Sequence, residues 1–91
     1  MIAVTVYTAH SCALCARALE IVREVRAEVG FELAVVEVDD DPVLEARYRE
    51  HLPVVEIGGE RAFTYFVDAS ALRDRVRAVL PAGPDESLAE S

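Results

Sequence analysis

Apolar residues fall in runs whose period changes along the chain, and the changes mark the elements. "IAVTVYT", residues 2–8, is a short apolar run rich in β-branched and aromatic residues, as expected of a buried strand. From Cys12 onward Leu14, Ala18, Ile21, Val22, Val25 and Val29 recur at helical spacing. Arg17, Glu20, Arg23, Glu24, Arg26 and Glu28 lie between them. Ser11 is in place to cap this helix, and Gly30 can supply the left-handed residue past its end. "FELAVVEV", residues 31–38, reads as a second strand. Asp41-Pro42 then signals a helix start, with Leu44, Tyr48 and Leu52 as its apolar side. Pro53 ends that helix, and "PVVEI" is a third strand. Gly58-Gly59 is a two-residue hairpin signal, returning through "ERAFTYF". Asp68 caps a last helix, whose Leu72, Val76, Val79 and Leu80 are expected to face inward. From Pro81 on, "PAGPDESLAES" has no apolar period and is expected to be a flexible acidic tail.

The order strand, helix, strand requires a parallel pair. The second half adds an antiparallel hairpin and a helix. The expected fold is α/β, with element order βαβαββα and a four-stranded mixed sheet flanked by three helices. One domain over residues 1–80 and a tail over 81–91 account for all 91 residues.

Charge narrows the functional classes. The net charge is −8, and all nine basic residues are Arg, interleaved with acids on helical segments. That pattern is a solvated helix face with local ion pairs. It lacks the basic face that phosphate backbones require, so nucleic-acid binding is not expected. The acidic cluster Glu37, Asp39, Asp40, Asp41 lacks the spacing of a calcium loop. No apolar run reaches the ~18 residues of a membrane span. "MIAVTVYTAH" lacks the pattern of a secretory signal, so a cytoplasmic location is expected.

The chemistry concentrates in "YTAHSCALCARA", residues 7–18, which holds both cysteines. A redox pair, a metal site, a structural disulfide and coincidence are the competing readings. A reducing compartment and so short a loop disfavour a purely structural disulfide. A thiol in the first turn of a helix sits near unpaired N–H groups and the positive end of the helix dipole. Such placements lower a cysteine pKa from ~8.5, commonly into the range ~3.5–7.5, and the thiolate is the species that attacks a disulfide. Cys15 lies one helical step further on the same face. Cys12 is therefore the expected nucleophile and Cys15 the resolving thiol. Pro53 removes a ladder donor at the start of its strand, leaving backbone groups nearby for an extended ligand.

"VTVYTAHSCALC", "HLPVVEIGG" and "FVDASALRDRV" together resemble the thioredoxin superfamily, and most closely its small glutaredoxin-like proteins, over roughly residues 2–80. The resemblance implies a thioredoxin-like fold and thiol–disulfide oxidoreductase activity by dithiol exchange. It further implies a cis Leu52-Pro53 bond facing the two cysteines, with Leu52 and Pro53 positioning substrate. The departures are specific. Ala9 stands where glutaredoxins usually carry a lysine, Ala13-Leu14 where Pro-Tyr is usual, and His51 where threonine is usual. Phe66-Val67 replaces the paired glycines before the last helix, whereas Asp68 is kept. Several usual glutathione contacts are thereby missing. No tightly bound cofactor is expected; glutathione is a candidate co-substrate, and a reductase or glutathione a candidate electron donor. The expected partners are a disulfide-containing protein or a small-thiol substrate, and the chain is expected to be a monomer.

His10 and His51 are the only histidines. A protonated His10 near Cys12 would favour its thiolate; the alternative is a solvated loop residue. His51 fits a helix-end position, favourable there by dipole. Arg47 and Arg49 fit surface charges, with substrate-carboxylate binding as the sharper alternative. His10, Cys12, Cys15 and His51 also suggest a metal-binding module, for zinc or an iron–sulfur group, although their spacing matches no zinc-finger pattern. A redox-sensing domain that cycles its cysteines without turnover is the third class.

Overall fold

The computed structural model describes residues 2–79. The expected tail over 81–91, and the inward placement of Leu80, lie outside the described residues. Strand β1 (Ala3–Thr8) leads into helix α1 (Ala13–Val29), and strand β2 (Glu32–Glu37) follows. A 3-10 turn, Val38–Asp40, precedes helix α2 (Pro42–Tyr48), and another, Arg49–His51, follows it. The hairpin β3 (Val54–Ile57) and β4 (Glu60–Thr64) then leads to helix α3 (Ala69–Val79). The four strands lie in the order β2-β1-β3-β4, with β1 parallel to β2 and antiparallel to β3.

Strand pleating sorts the core into two sets. Val4 and Val6 of β1, with Val55 and Ile57 of β3, meet Ala18, Val22 and Val25 of α1 and Leu72 and Val76 of α3. Burial of this set is the main stabilising contribution, at roughly 25 cal/mol per Å² of apolar surface. The opposite sheet face carries Tyr7 and Val54, packed with Tyr48 and Leu44 of α2, Val38, Leu52 and Cys15. The single helix on this face is short, yet its ends are well defined. Asp41 Oδ1 accepts from Val43 N at 2.9 Å and from Leu44 N at 3.3 Å, and Pro42 opens the first turn.

Three glycines stand where the backbone turns left-handed. Gly30 ends α1 at φ 75°, with its N–H on Arg26 O at 2.9 Å. Gly58 and Gly59 have φ of 60° and 88°, the pair of positive values a tight hairpin turn demands.

Three details correct the sequence expectation. Ser11 does not cap α1: it lies at φ 56°, and the next residue, Cys12, has the extended N-cap backbone. Val79 is half exposed and lies outside the core set, rather than facing inward. The returning strand stops at Thr64, since Tyr65 turns the chain at φ 68°.

Candidate functional site

The loop Ala9–Cys12 joins the end of the central strand β1 to α1. Cys12 caps the helix that it opens: its Sγ accepts the N–H of Cys15 at 3.1 Å, and its carbonyl accepts Ala16 N at 3.1 Å. One of the unsatisfied donors of a helix start is thus aimed at a sulfur. Cys12 and Cys15 are disulfide-bonded, with Cα atoms 5.2 Å apart. The two sulfurs differ in surroundings. Cys15 is 1 % exposed, within the cluster of Val38, Tyr48, Leu52 and Val54. Cys12 is half exposed and lines an open groove of about 660 Å³. A reactant can reach the first sulfur; the second is reached through it.

Leu52 and Pro53 belong to the same neighbourhood. Leu52 packs in the cluster around Cys15, and the Leu52-Pro53 peptide bond is cis. The Pro53 carbonyl is occupied, accepting Tyr65 N at 3.0 Å. Leu52 carries no backbone hydrogen bond among the described residues, so the groups left for an extended ligand are those of Leu52 rather than the carbonyl of Pro53.

Tyr65 holds this loop from the side. Its hydroxyl donates to Glu50 O at 2.9 Å and lies 3.3 Å from His51 Nδ1. A bulky residue at positive φ is strained, and such a residue persists only where its surroundings fix it. Here two hydrogen bonds do so, one from the backbone and one from the side chain. His51 therefore meets the tyrosine at the end of its 3-10 turn, with ring centroids 6.2 Å apart. Beyond Tyr65, Phe66 is 72 % exposed, and with Leu14 it borders a small apolar pocket of about 170 Å³.

His10 is brought to the site by its backbone. Its N–H donates to Asp39 Oδ2 at 2.7 Å, and its Nε2 lies 3.5 Å from Glu37 and 3.9 Å from Asp39. Its partners among the described residues are carboxylates rather than a sulfur. Arg49 completes the network, 2.6 Å from Glu45 and 3.5 Å from Asp39; these bonds hold its pKa above the usual guanidinium value, the Glu45 hydrogen bond first. Arg47 lies over the Tyr48 ring, its Cζ 5.4 Å from the centroid. No group of three or more His, Cys, Asp or Glu among the described residues is arranged to hold a metal ion. No helix among them is long and apolar enough to cross a membrane.

One cluster was missed by sequence reasoning. Glu56 accepts from Tyr48 Oη at 3.2 Å and from Tyr7 Oη at 3.4 Å, and the two rings stack with centroids 4.1 Å apart. Burial, then the bond with Tyr48 and the charge of Glu56, push the Tyr7 phenol up to about 12. The available signal was one carboxylate inside an otherwise apolar strand, "VVEI".

Comparison with known proteins adds to this geometry. Residues 3–77 match the family model described as Glutaredoxin-like domain (DUF836). The chain is 33% identical to the uncharacterized protein Rv0508 of Mycobacterium tuberculosis, covering 93% of this chain and 94% of that one. Among solved structures, target protein XcR50 from X. campestris superposes with a TM-score of 0.70 at 31% identity, covering 85% of this chain and 99% of its own. A mutant thioredoxin from Halobacterium salinarum has a TM-score of 0.66 at 19% identity, over 88% of this chain and 78% of that one, a likeness of fold.

Proposed function

The chain belongs to the glutaredoxin-like domain family of the thioredoxin superfamily, and from that premise we propose that it is a thiol–disulfide oxidoreductase working by dithiol exchange. In the reduced protein the Cys12 thiolate attacks one sulfur of a substrate disulfide. A mixed disulfide forms, and the first substrate sulfur leaves as a thiolate and takes up a proton. Cys15, deprotonated, then attacks the Cys12 sulfur and releases the second substrate thiol. The substrate gains two electrons and two protons, and the protein is left as the Cys12–Cys15 disulfide. Two equivalents of an external thiol, or one dithiol, restore it.

The observation that carries this reading is the asymmetry of the pair: Cys12 is half exposed beneath the N–H of Cys15, whereas Cys15 is sealed among apolar side chains. The donor favours negative charge on the outer sulfur. The seal keeps the inner thiol from solvent reactants but leaves it one helical step from the mixed disulfide. Leu52 supports substrate positioning, since its backbone is unbonded in the described structure and its side chain packs with Cys15. Glutathione as co-substrate is not favoured by the surroundings, where Ala9 and exposed Phe66 offer no charge for its carboxylates. A protein disulfide fits better, in a cytoplasmic setting where reductant is available.

The test is turnover of a disulfide with glutathione and glutathione reductase, and separately with thioredoxin reductase, as donors. Cys12→Ser is expected to abolish exchange, and Cys15→Ser to accumulate a mixed disulfide on Cys12. Trapping by the reverse variant would overturn the roles. Cycling of the cysteines without turnover under either donor would favour redox sensing.

A further inference from the structure

Strand β2 is an edge of the sheet, and no other described strand pairs with its outer side. Glu32 N donates to Ile2 O at 2.9 Å, which sets the phase of the parallel ladder with β1. Glu32, Ala34 and Val36 therefore turn their N–H and C=O groups toward β1. Leu33, Val35 and Glu37 turn theirs outward, where no described backbone meets them. Val35 is also 41 % exposed, an apolar side chain on an edge that no other described strand covers.

Beside this edge runs the groove of about 660 Å³ that contains Cys12. Its α1 wall is the stripe Cys12, Ala16, Leu19 and Arg23, and its β2 wall is Val35 and Glu37. Arg23 lies eleven residue steps beyond Cys12 along the helix, ~16 Å at 1.5 Å per step. An extended chain covers that span in about five residues. The groove is charged at its ends and apolar between them. Glu37 pairs with Thr8 in the ladder and so lies at the Cys12 end, with His10 Nε2 at 3.5 Å. Arg23 lies at the far end and has no ion pair among the described residues.

We infer that this groove takes an extended segment of a partner polypeptide, added as a fifth strand antiparallel to β2, on the C-terminal side of the partner's reactive cysteine. The segment carries a basic residue next to that cysteine, facing Glu37, and an apolar residue facing Val35 and Leu19. An acidic residue faces Arg23. The inference rests on the exchange reading above and supplies its substrate class. A second copy of this chain fits less well. Pairing β2 with itself about Val35 would set Glu37 against Leu33 of the copy, and would join two chains of net charge −8.

The test uses two synthetic hexapeptides, Cys-Lys-Thr-Val-Thr-Glu and its charge-swapped form Cys-Glu-Thr-Val-Thr-Lys. Each is supplied as a mixed disulfide with 2-mercaptoethanol, and also with Ser in place of Cys. Hydroxyethyl disulfide is the small neutral control. The expected result is a kcat/KM higher for the first peptide by roughly tenfold, as two cross-strand pairs change from attractive to repulsive. The double variant Arg23→Glu/Glu37→Arg inverts that preference, read as the ratio of kcat/KM for the two peptides within the variant. Val35→Pro, which removes an outward N–H, abolishes it. The Ser form of the first peptide slows amide exchange at Leu33, Val35 and Glu37. This binding readout stands even if no disulfide is turned over, so failure of the exchange reading is seen separately. Equal handling of the two peptides would overturn the inference. So would peptide-induced protection confined to Leu52–Val54, or a chain dimer that Val35→Pro dissociates.

Discussion

Cys15 gives its backbone N–H to the Sγ of Cys12 at 3.1 Å, yet keeps its own sulfur 1 % exposed. One residue thus touches the outer sulfur through its main chain while its own side chain stays inside. In the reduced protein, limited iodoacetamide is expected to alkylate Cys12 well before Cys15. Peptide mapping after partial reaction checks the order, and equal labelling of both would show that the burial does not persist after reduction.

Tyr7 provides a titration with a defined sign. Its phenol is raised from 10.0 to about 12, mainly by burial. The raised value means that the fold favours the neutral phenol. The stabilisation is complete below the unfolded value near 10 and is lost as pH rises through about 12. Absorbance titration of tyrosinate is expected to show a late step for Tyr7 near pH 12, absent in Tyr7→Phe. Absence of a Tyr7-dependent step near pH 12 would contradict the Tyr7–Tyr48–Glu56 cluster.

The two helices on one sheet face are tied by Arg73, whose Nε and Nη2 lie 2.9 and 3.0 Å from the Glu28 carboxylate oxygens. The hydrogen bond and charge of Arg73 hold the Glu28 pKa below the usual carboxylate value. A lowered carboxylate pKa contributes stability that is present above the unfolded value and is lost as pH falls through the folded one. Glu28→Gln should therefore lower Tm at neutral pH, by a difference that shrinks on acidification and disappears at the acid end. Thermal melts of both proteins across pH 2–7 measure this. A difference independent of pH would assign the effect to packing.

Leu72 is fully buried between α3 and the sheet, within the main core set. Leu72→Ala is expected to cost about 2–5 kcal/mol in urea unfolding, from lost transfer energy and a residual cavity. Val79→Ala on the same helix is half exposed and should cost under about 1 kcal/mol. Similar costs at both positions would mean that α3 packs differently.

Most of this fold is carried by local pattern. The helical period after Cys12, the Asp41-Pro42 start and the Gly58-Gly59 turn each act within a few residues, so the chain displays them directly. Ser11 shows where local rules compete. A serine before a helix is a good cap, but here the loop needs a left-handed residue, and the cap passes to the cysteine beside it. The edge of the site was less legible. Tyr65 is fixed by Glu50 and Pro53, and Glu56 by two tyrosines from other elements, 8 and 49 residues away. Those are products of tertiary packing, and periodicity carries no trace of them. The meeting of Cys12 and Cys15 was legible because a two-residue gap at a helix start brings the two sulfurs together, and both gap and start are written in sequence.

The amide of His10 ends on Asp39, 29 residues away, and Arg49 grips the same carboxylate from beyond α2. The segment that delivers Cys12 is thus moored to a different part of the molecule. Substitutions in or after α2 that never approach a sulfur can slacken that mooring, so the neighbourhood governing the thiol reaches well past its four-residue motif.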